Sequence, residues 1–168
     1  MSTYSKQVIN HFKNPHNYGS IKKPDGKGIV GNIICGDVMY LYIRVKKTKD
    51  TEIIEDIKFE TYGCAAAIAT SSVITDLVKN KTITEALSIK KDDVIKSLNG
   101  LPPIKIHCSL LAVDALNEAI YDYLKGKKRK IPIELEKAHL KIKQERQKTE
   151  TRYSDWVKAE KGGKNGHR

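Results

Sequence analysis

Residues 39–46, Met-Tyr-Leu-Tyr-Ile-Arg-Val-Lys, decide the fold class because core-forming side chains occupy every second position along them. A period of two predicts a β-strand with one buried face. The same alternation recurs at residues 57–61, after a polar turn at 47–51, and residues 29–34 favour a strand before both. Three consecutive strands with short connections predict an antiparallel meander.

Helical periodicity replaces the strand pattern after Gly63. Apolar residues at every third or fourth position predict a helix following Gly63 and, most clearly, a helix from Cys108 to Gly126. Shorter helices are indicated at 4–12, at 82–87, where Thr82 and Glu85 are spaced as a capping box, and at 92–98. The proline pair at 102–103 requires an extended segment. Strands followed by helices, without alternation, indicate an α+β fold with helices packed on one face of a three-stranded antiparallel sheet.

Charge divides the chain into two parts. The formal net charge is +11, and residues 127–168 hold 14 Lys and Arg against 6 Asp and Glu, so +8 of it falls there. We therefore predict one domain at 1–126 and a basic C-terminal extension at 127–168, partly helical, with residues 162–168 disordered. A solvated helix is the simplest interpretation of the extension. Nucleic-acid binding, or docking onto a partner or a second copy through Trp156 and Val157, are the alternatives.

The sequence favours a cytoplasmic protein that contacts no membrane. No apolar stretch approaches the roughly 20 residues that a membrane span needs, and residues 1–10 lack the basic and apolar regions of a secretory signal. An odd set of three cysteines in a reducing compartment does not indicate disulfides. Cys35, Cys64 and Cys108 are therefore either three unrelated buried thiols or the ligands of one metal site.

Each cysteine falls at the end of a predicted element. Cys35 follows the first strand in a Gly-Asp turn, Cys64 follows the third strand where a helix begins, and Cys108 opens the long helix. Helix N-termini favour anions, including the thiolate form that binds metals. Antiparallel pairing brings the first two cysteines to one end of the sheet, and the long helix can bring the third there. Three thiolates at one place indicate zinc, or iron with sulfide.

The sequence offers two candidates for a fourth ligand, Asp37 and His107, each close to a cysteine. Turn chemistry at Asp37 and a helix-start role for His107 are the alternative explanations. A shell with only three thiolates favours a cluster that can be released over one that is held permanently. A Cys–His enzyme in which His107 activates Cys108 is a rival, disfavoured because adjacent residues at a helix start rarely face each other.

Three motifs, at residues 31–39, 61–72 and 101–109, resemble those of the IscU/NifU-type iron–sulfur cluster scaffolds, as does the opening segment 4–15. The resemblance covers about residues 4–125 without large gaps. It implies a three-stranded sheet with helices on one face. It also implies a [2Fe–2S] cluster on Cys35, Cys64 and Cys108, with Asp37 or His107 near the fourth position and Zn²⁺ as an alternative occupant.

The same resemblance implies a role and a set of partners. Cys108 would accept persulfide sulfur from a cysteine desulfurase, and Asp37 would matter for release of the cluster to apo iron–sulfur proteins. The segment Leu101-Pro102-Pro103-Ile104-Lys105 would bind an Hsp70-type chaperone. The expected function is thus that of a scaffold and carrier, not a turnover enzyme. A zinc-bound protein that accepts persulfide without building a cluster is the rival, and residues 127–168 exceed the compact family core.

Overall fold

The computed structural model describes residues 4–32 and 36–163. Within them, a three-stranded sheet is followed by a series of helices, with a short 3₁₀ turn at Pro103–Lys105 before the longest core helix. The elements in chain order are α1 (Lys6–Lys13), β1 (Gly26–Asn32), β2 (Asp37–Lys47), β3 (Glu52–Tyr62), α2 (Ala65–Val78), α3 (Ile83–Ser88), α4 (Lys91–Ser97), α5 (Ile106–Gly126) and α6 (Ile133–Gly163).

The predicted antiparallel meander is confirmed. The strand order is β1-β2-β3, and both neighbouring pairs are antiparallel. In β2 the fully buried positions Met39, Leu41 and Ile43 alternate with Tyr40, Tyr42 and Arg44 on the other face, where Tyr42 is also buried. The strand begins earlier than the sequence predicts, at Asp37. The same alternation then places Asp37 on the core-facing side, beneath the helices.

Helices cover the core-facing side of the sheet, as predicted. α5 lies against β1 and β2, whereas α2 packs on β3 and on α5. The core includes Leu41, Phe59, Ile74, Leu116 and Ile120, which are all fully buried. α3 begins with the predicted capping box, in which Thr82 and Glu85 satisfy each other's backbone N–H groups.

The first strand starts at Gly26, three residues earlier than predicted, and its glycines at 26 and 28 lie close against α5. A Cβ atom at Gly28 would lie 2.1 Å from the carbonyl oxygen of Ala115, and one at Gly26 would lie 2.2 Å from that of Ala119. The Gly-rich composition that favours a loop before residue 29 therefore serves close packing between strand and helix. In the first helix, Val8 is buried whereas Phe12 is exposed.

The C-terminal extension forms the helix α6, which packs on α5. Leu135 is buried in the main core, and Ile142 packs against it. The His139 ring stacks on Tyr121 of α5 with 3.8 Å between centroids. Gly162 and Gly163, predicted to be disordered, are helical, and residues 164–168 lie outside the described residues. The side chains of Trp156 and Val157 are likewise outside what the structure describes. No helix among the described residues is both long and apolar enough to cross a membrane.

Candidate metal centre

The start of β2, the N-terminus of α2 and the first turn of α5 meet at one end of the sheet. Val38 of β2 pairs with Tyr62 of β3, so the chain leaving β3 enters α2 directly beside the start of β2. Small side chains let α2 approach α5 closely here. Ala66 and Ala67 are fully buried and form a separate apolar cluster with Cys108. Residues far apart in the sequence are thereby brought into contact.

Two of the three predicted thiols lie side by side, with 3.9 Å between the Sγ atoms of Cys64 and Cys108. Cys64 is the N-cap of α2, and Cys108 is a fully buried residue in the first turn of α5. A tetrahedral ion bound at 2.3 Å to each of two sulfurs would hold those sulfurs about 3.8 Å apart. The observed spacing therefore suits chelation of one ion with almost no movement.

The Asp37 carboxylate bridges these thiols. Its Oδ2 atom lies 3.8 Å from Cys108 Sγ and 4.0 Å from Cys64 Sγ. Its Oδ1 atom accepts a hydrogen bond of 3.3 Å from the Cys64 backbone N–H, at the start of α2. A Cβ atom at Gly63 would lie 2.6 Å from Oδ1 and 2.9 Å from the Ala67 Cβ. The absence of a side chain at Gly63 thus makes room for the carboxylate.

His107 contributes a fourth donor atom. Its Nε2 atom lies 3.6 Å from Cys108 Sγ, although the two residues are adjacent in the chain. Donor atoms of Asp37, His107 and Cys108 all lie within 4.8 Å of one another. Both candidates for the fourth position therefore stand beside the same thiol, and together these groups offer soft sulfur, borderline imidazole and hard carboxylate donors.

Comparison of the sequence with known protein families identifies the family of this chain. The model of the NifU-like N terminal domain family matches residues 3–130, most of the chain. The chain belongs to the NifU-like N-terminal domain family. Among curated relatives, the iron–sulfur cluster assembly scaffold protein IscU 1 of Archaeoglobus fulgidus is 57% identical over 122 residues, or 73% of this chain and 77% of that relative.

Two further relatives agree with this assignment. The iron–sulfur cluster assembly scaffold protein IscU of Escherichia coli K12 is 52% identical over 123 residues, or 71% of this chain and 93% of that relative. A solved structure described as a candidate iron–sulfur cluster assembly scaffold for the SUF system of Fervidobacterium islandicum aligns with a TM-score of 0.56 at 25% identity. That alignment covers 70% of this chain and 96% of the Fervidobacterium chain. The resemblance to the IscU/NifU-type family is therefore confirmed, as is the predicted fold class.

Of the five site residues predicted in this NifU-like domain, four converge and one cannot be placed. The four are Asp37, Cys64, His107 and Cys108. Cys35 lies outside the described residues and precedes Asp37 by two positions in the sequence. The position of its sulfur stays a prediction.

Lys105 is a further charged group at this end of the NifU-like domain. The Cys64 thiolate, its strongest influence, raises the pKa of the Lys105 ammonium, and Tyr4 and Cys108 add to the rise while slight burial opposes it. From its position in the sequence, Lys105 is predicted only as part of the candidate chaperone segment. The sequence does contain a signal for its interaction with the thiols. Lys105 precedes Cys108 by three positions, so the two residues can share one helical face.

Exposed apolar side chains border the thiols of this NifU-like domain. Ile104, in the segment 101–105, is 77% exposed, and Tyr62, which directly precedes the Gly63-Cys64 pair, is 73% exposed. Leu101 in the same segment instead packs against the cluster around Cys108. The segment 101–105 is therefore anchored at one end and offers an apolar side chain to solvent at the other.

Proposed function

We propose that this NifU-like domain protein is an iron–sulfur cluster assembly scaffold, which holds a labile [2Fe–2S] cluster on Cys35, Cys64 and Cys108 and passes it to apo-proteins. The observation that carries the proposal is the contact of one buried carboxylate oxygen, Asp37 Oδ2, with both Cys64 Sγ and Cys108 Sγ. The Archaeoglobus and Escherichia relatives are named as iron–sulfur cluster assembly scaffolds, which supports the same role.

The donor set supports a releasable cluster. Thiolates bind iron as soft ligands, whereas a carboxylate is a hard ligand that exchanges more readily. Electron carriers hold their clusters on four cysteines in most cases, but this chain contains three cysteines in all. A carboxylate or imidazole at the fourth iron position therefore favours transfer over permanent retention. The protein would act as a carrier and not as a turnover enzyme.

The sulfur would arrive as a persulfide from a cysteine desulfurase. In that step, the Cys108 thiolate attacks the outer sulfur of the desulfurase persulfide, a new S–S bond forms at Cys108, and the desulfurase cysteine leaves as a thiolate. Reduction of the transferred sulfur to sulfide then needs an electron pair from an external reductant. The ammonium of Lys105, which interacts with the thiolates of Cys64 and Cys108, stabilises their charge between these steps.

The experiment that tests this function is anaerobic reconstitution with desulfurase, cysteine and ferrous iron, followed by absorption and Mössbauer spectra. We expect the wild-type chain to form a [2Fe–2S] cluster and to pass it to an apo-ferredoxin. Asp37→Ala should still assemble the cluster but transfer it roughly tenfold more slowly, a cost of about 1.4 kcal/mol in the barrier. Comparison with His107→Ala assigns the fourth ligand. Unchanged transfer kinetics in Asp37→Ala would contradict a labile-ligand role.

A zinc-bound persulfide acceptor is the second candidate function. The 3.9 Å spacing of the Cys64 and Cys108 sulfurs favours it, because that spacing suits tetrahedral Zn²⁺ as well as iron. Such a protein would accept sulfur without building a cluster. Purification without air separates the two candidates. A colourless protein with one zinc, unable to form a cluster when desulfurase, cysteine and iron are supplied, would establish the second candidate and exclude the first.

We further propose that the segment Leu101-Pro102-Pro103-Ile104-Lys105 binds an Hsp70-type chaperone. The exposure of Ile104 beside the thiols supports this, since chaperone binding at this place would act directly on the site. A synthetic peptide of residues 99–107 should compete with the full chain for such a chaperone, and the same peptide with Ile104→Asp should not. Competition by both peptides would assign the binding to another part of the segment.

The division of the chain into a scaffold domain and an appended segment is also a proposal. Residues 1–126 would carry the scaffold function, and residues 127–168 would form an appended basic segment. The end of the family match at residue 130 supports this division. A cytoplasmic location and the absence of nucleic-acid binding stay predictions of the sequence. Binding of the full chain to duplex DNA with a steep salt dependence would contradict the second of these.

A further inference from the structure

A second group of metal-binding donors lies outside the cysteine centre. His11 is on α1, His16 is in the loop after α1, and Asp76 is on the exposed side of α2. One donor atom from each of the three residues lies within 4.8 Å of the others. The rings of His11 and His16 are tilted against each other with 4.8 Å between centroids.

A buried serine beneath the group holds both histidines. Ser72 Oγ accepts a 2.8 Å hydrogen bond from the His16 backbone N–H and lies 2.8 Å from His11 Nδ1. When His11 carries its proton on Nδ1, that N–H donates to Ser72 and leaves the Nε2 lone pair available to a cation. Metal-binding histidines are oriented in this way by a hydrogen bond at the second ring nitrogen.

The loop that carries His16 is itself fixed. The Phe59 backbone N–H donates to the Asn17 carbonyl at 3.1 Å, and the Gly19 N–H donates to the Phe59 carbonyl at 2.8 Å. These bonds attach the loop to the outer strand β3. His16 is therefore supported on both sides, by α2 through Ser72 and by the sheet through Phe59. The histidines belong to a preorganised arrangement and not to a free segment.

Asp76 completes the group with a carboxylate. Its Oδ2 atom lies 2.6 Å from His16 Nδ1, and its Oδ1 atom accepts a 3.4 Å hydrogen bond from the Asn17 amide. The side chains of His16 and Asp76 are 55% and 42% exposed, so both can adjust their rotamers. Donors around one ion at bond lengths near 2.1 Å stand roughly 3 Å apart. The His16–Asp76 pair is already at about that distance, and the wider pairs, which lie within 4.8 Å, must close by at most about 2 Å.

The environment of His11 favours the neutral imidazole. Burial lowers the pKa of the His11 imidazole, and the neighbouring His16 lowers it further, while Asp76 opposes the shift. A neutral imidazole is the form that binds metals. The group is also well separated from the cysteine centre. Asp76 follows Cys64 by twelve positions along α2, which at 1.5 Å per residue is about 18 Å.

We propose that His11, His16 and Asp76 form a second, exchangeable site for one divalent first-row transition-metal ion, distinct from the cysteine centre. Two imidazoles and one carboxylate suit Zn²⁺ and Fe²⁺, and water completes the coordination shell at this exposed place. The alternative role of the same residues is purely structural: an ion pair between His16 and Asp76 that ties the loop to α2. The two roles differ in whether a cation binds.

The test is a Zn²⁺ titration of the full-length reduced chain, followed by calorimetry and by ¹⁵N NMR of the histidine rings. We expect two ions per wild-type chain, one in the cysteine centre and one that shifts the ring nitrogens of His11 and His16. In His16→Gln the dissociation constant of the second ion should rise at least roughly tenfold. His139→Gln is the matched control, because His139 also pairs with a carboxylate but belongs to no group of three metal donors among the described residues. That variant should keep both ions.

Two controls keep the outcome interpretable. Replacement of Zn²⁺ by Co²⁺ separates the sites, because only the cysteine centre produces thiolate charge-transfer absorption. If the cysteine centre does not bind the ion, the missing absorption would show this independently of binding at the second site. If His16→Gln is less stable than wild type, Asp76→Asn provides a second test, because it preserves the shape of the side chain. Binding of a single ion to the wild-type chain would overturn the proposal, and so would a second ion retained at full affinity in His16→Gln and Asp76→Asn.

Discussion

The two halves of α5 bring titratable groups together in opposite ways. Near its N-terminus, Cys108 lies within 4.0 Å of the Asp37 carboxylate and the Cys64 sulfur, both of which carry negative charge when ionised. Further along, Glu118 faces His139 of α6, with 2.9 Å between the carboxylate oxygen and Nδ1. The first arrangement gathers groups of like charge, and the second pairs groups that attract each other when the imidazole is protonated.

This difference indicates which end of α5 is suited to a bound ligand. Like charges at such distances favour a bound proton or cation between them, and a cation that binds only the folded state adds to its stability. The α5–α6 interface is complementary without one. The cysteine end therefore suits a bound cation, whereas the C-terminal extension packs on α5 through apolar contacts and an ion pair.

One residue of the α5–α6 interface departs from this contrast. Burial, with Glu145 of α6 adding to it, raises the pKa of Asp114 to about 6; Lys141 opposes the rise and Glu118 adds to it. Asp114 thus faces both signs of charge. Its carboxyl is one group through which the interface should respond to pH.

Removal of one thiol should have the largest effect. That effect should be on cluster binding at the cysteine end and not on the stability of the fold. We expect Cys64→Ala to abolish stable cluster binding, because the remaining donors cannot replace a thiolate on iron. The free energy of unfolding of the metal-free chain should change by no more than about 1 kcal/mol, since Cys64 is only half-buried. Absorption spectra after reconstitution and urea denaturation measure the two quantities. Full cluster occupancy would remove Cys64 from the site.

A cavity beneath α6 should affect stability alone. Leu135→Ala removes a side chain from the main core, so we expect a loss of about 2–4 kcal/mol in the free energy of unfolding. Zn²⁺ affinity at the cysteine end should stay within twofold of wild type. Leu140→Ala, on the same helix but half-exposed, is the control and should cost under about 1 kcal/mol. A large loss of metal affinity in Leu135→Ala would mean that the two regions are coupled.

A methyl group at Gly63 should affect both stability and the metal site. In Gly63→Ala the new Cβ atom would displace the Asp37 carboxylate, so Zn²⁺ affinity should fall about tenfold, and stability by about 1–2 kcal/mol. Calorimetry and thermal unfolding are the measurements. Gly126→Ala has open space around the new Cβ atom and should leave metal affinity unchanged. Wild-type affinity in Gly63→Ala would show that Asp37 does not need its observed position.

Neutralisation of Asp114 should have the smallest effect, and one with a defined pH dependence. Because the folded-state pKa is raised, the unfolded chain releases this proton first, so stability falls as pH rises from about 4 to about 6. Asp114→Asn should remove that slope. After allowance for partial exposure, it should stabilise the chain by about 1 kcal/mol at pH 7 and by almost nothing at pH 4. Glu150→Gln, an exposed carboxylate on α6, should leave the slope unchanged.

Local patterns predicted the elements but not all of their boundaries. The alternation in residues 39–46 and the capping box at Thr82 and Glu85 are short-range features, and both are confirmed. The start of β1 was missed because Gly26 and Gly28 resemble loop residues until α5 is packed against them. The helicity of Gly162 and Gly163 was missed for a related reason, since glycine and charge predict disorder unless a helix already extends to that point.

The sequence by itself determined the α+β class, the family and the residue types of the candidate metal centre, because periodicity and motifs depend only on the order of residues along the chain. Only the tertiary structure decided which of those side chains meet. Cys64 and Cys108 are 44 positions apart, and Asp37 and Cys108 are 71 apart, so their contacts depend on how α2 and α5 cross the sheet. The same holds for His11 on α1, His16 in the following loop and Asp76 on α2, which converge because α1 packs on α2 and β3 holds the loop.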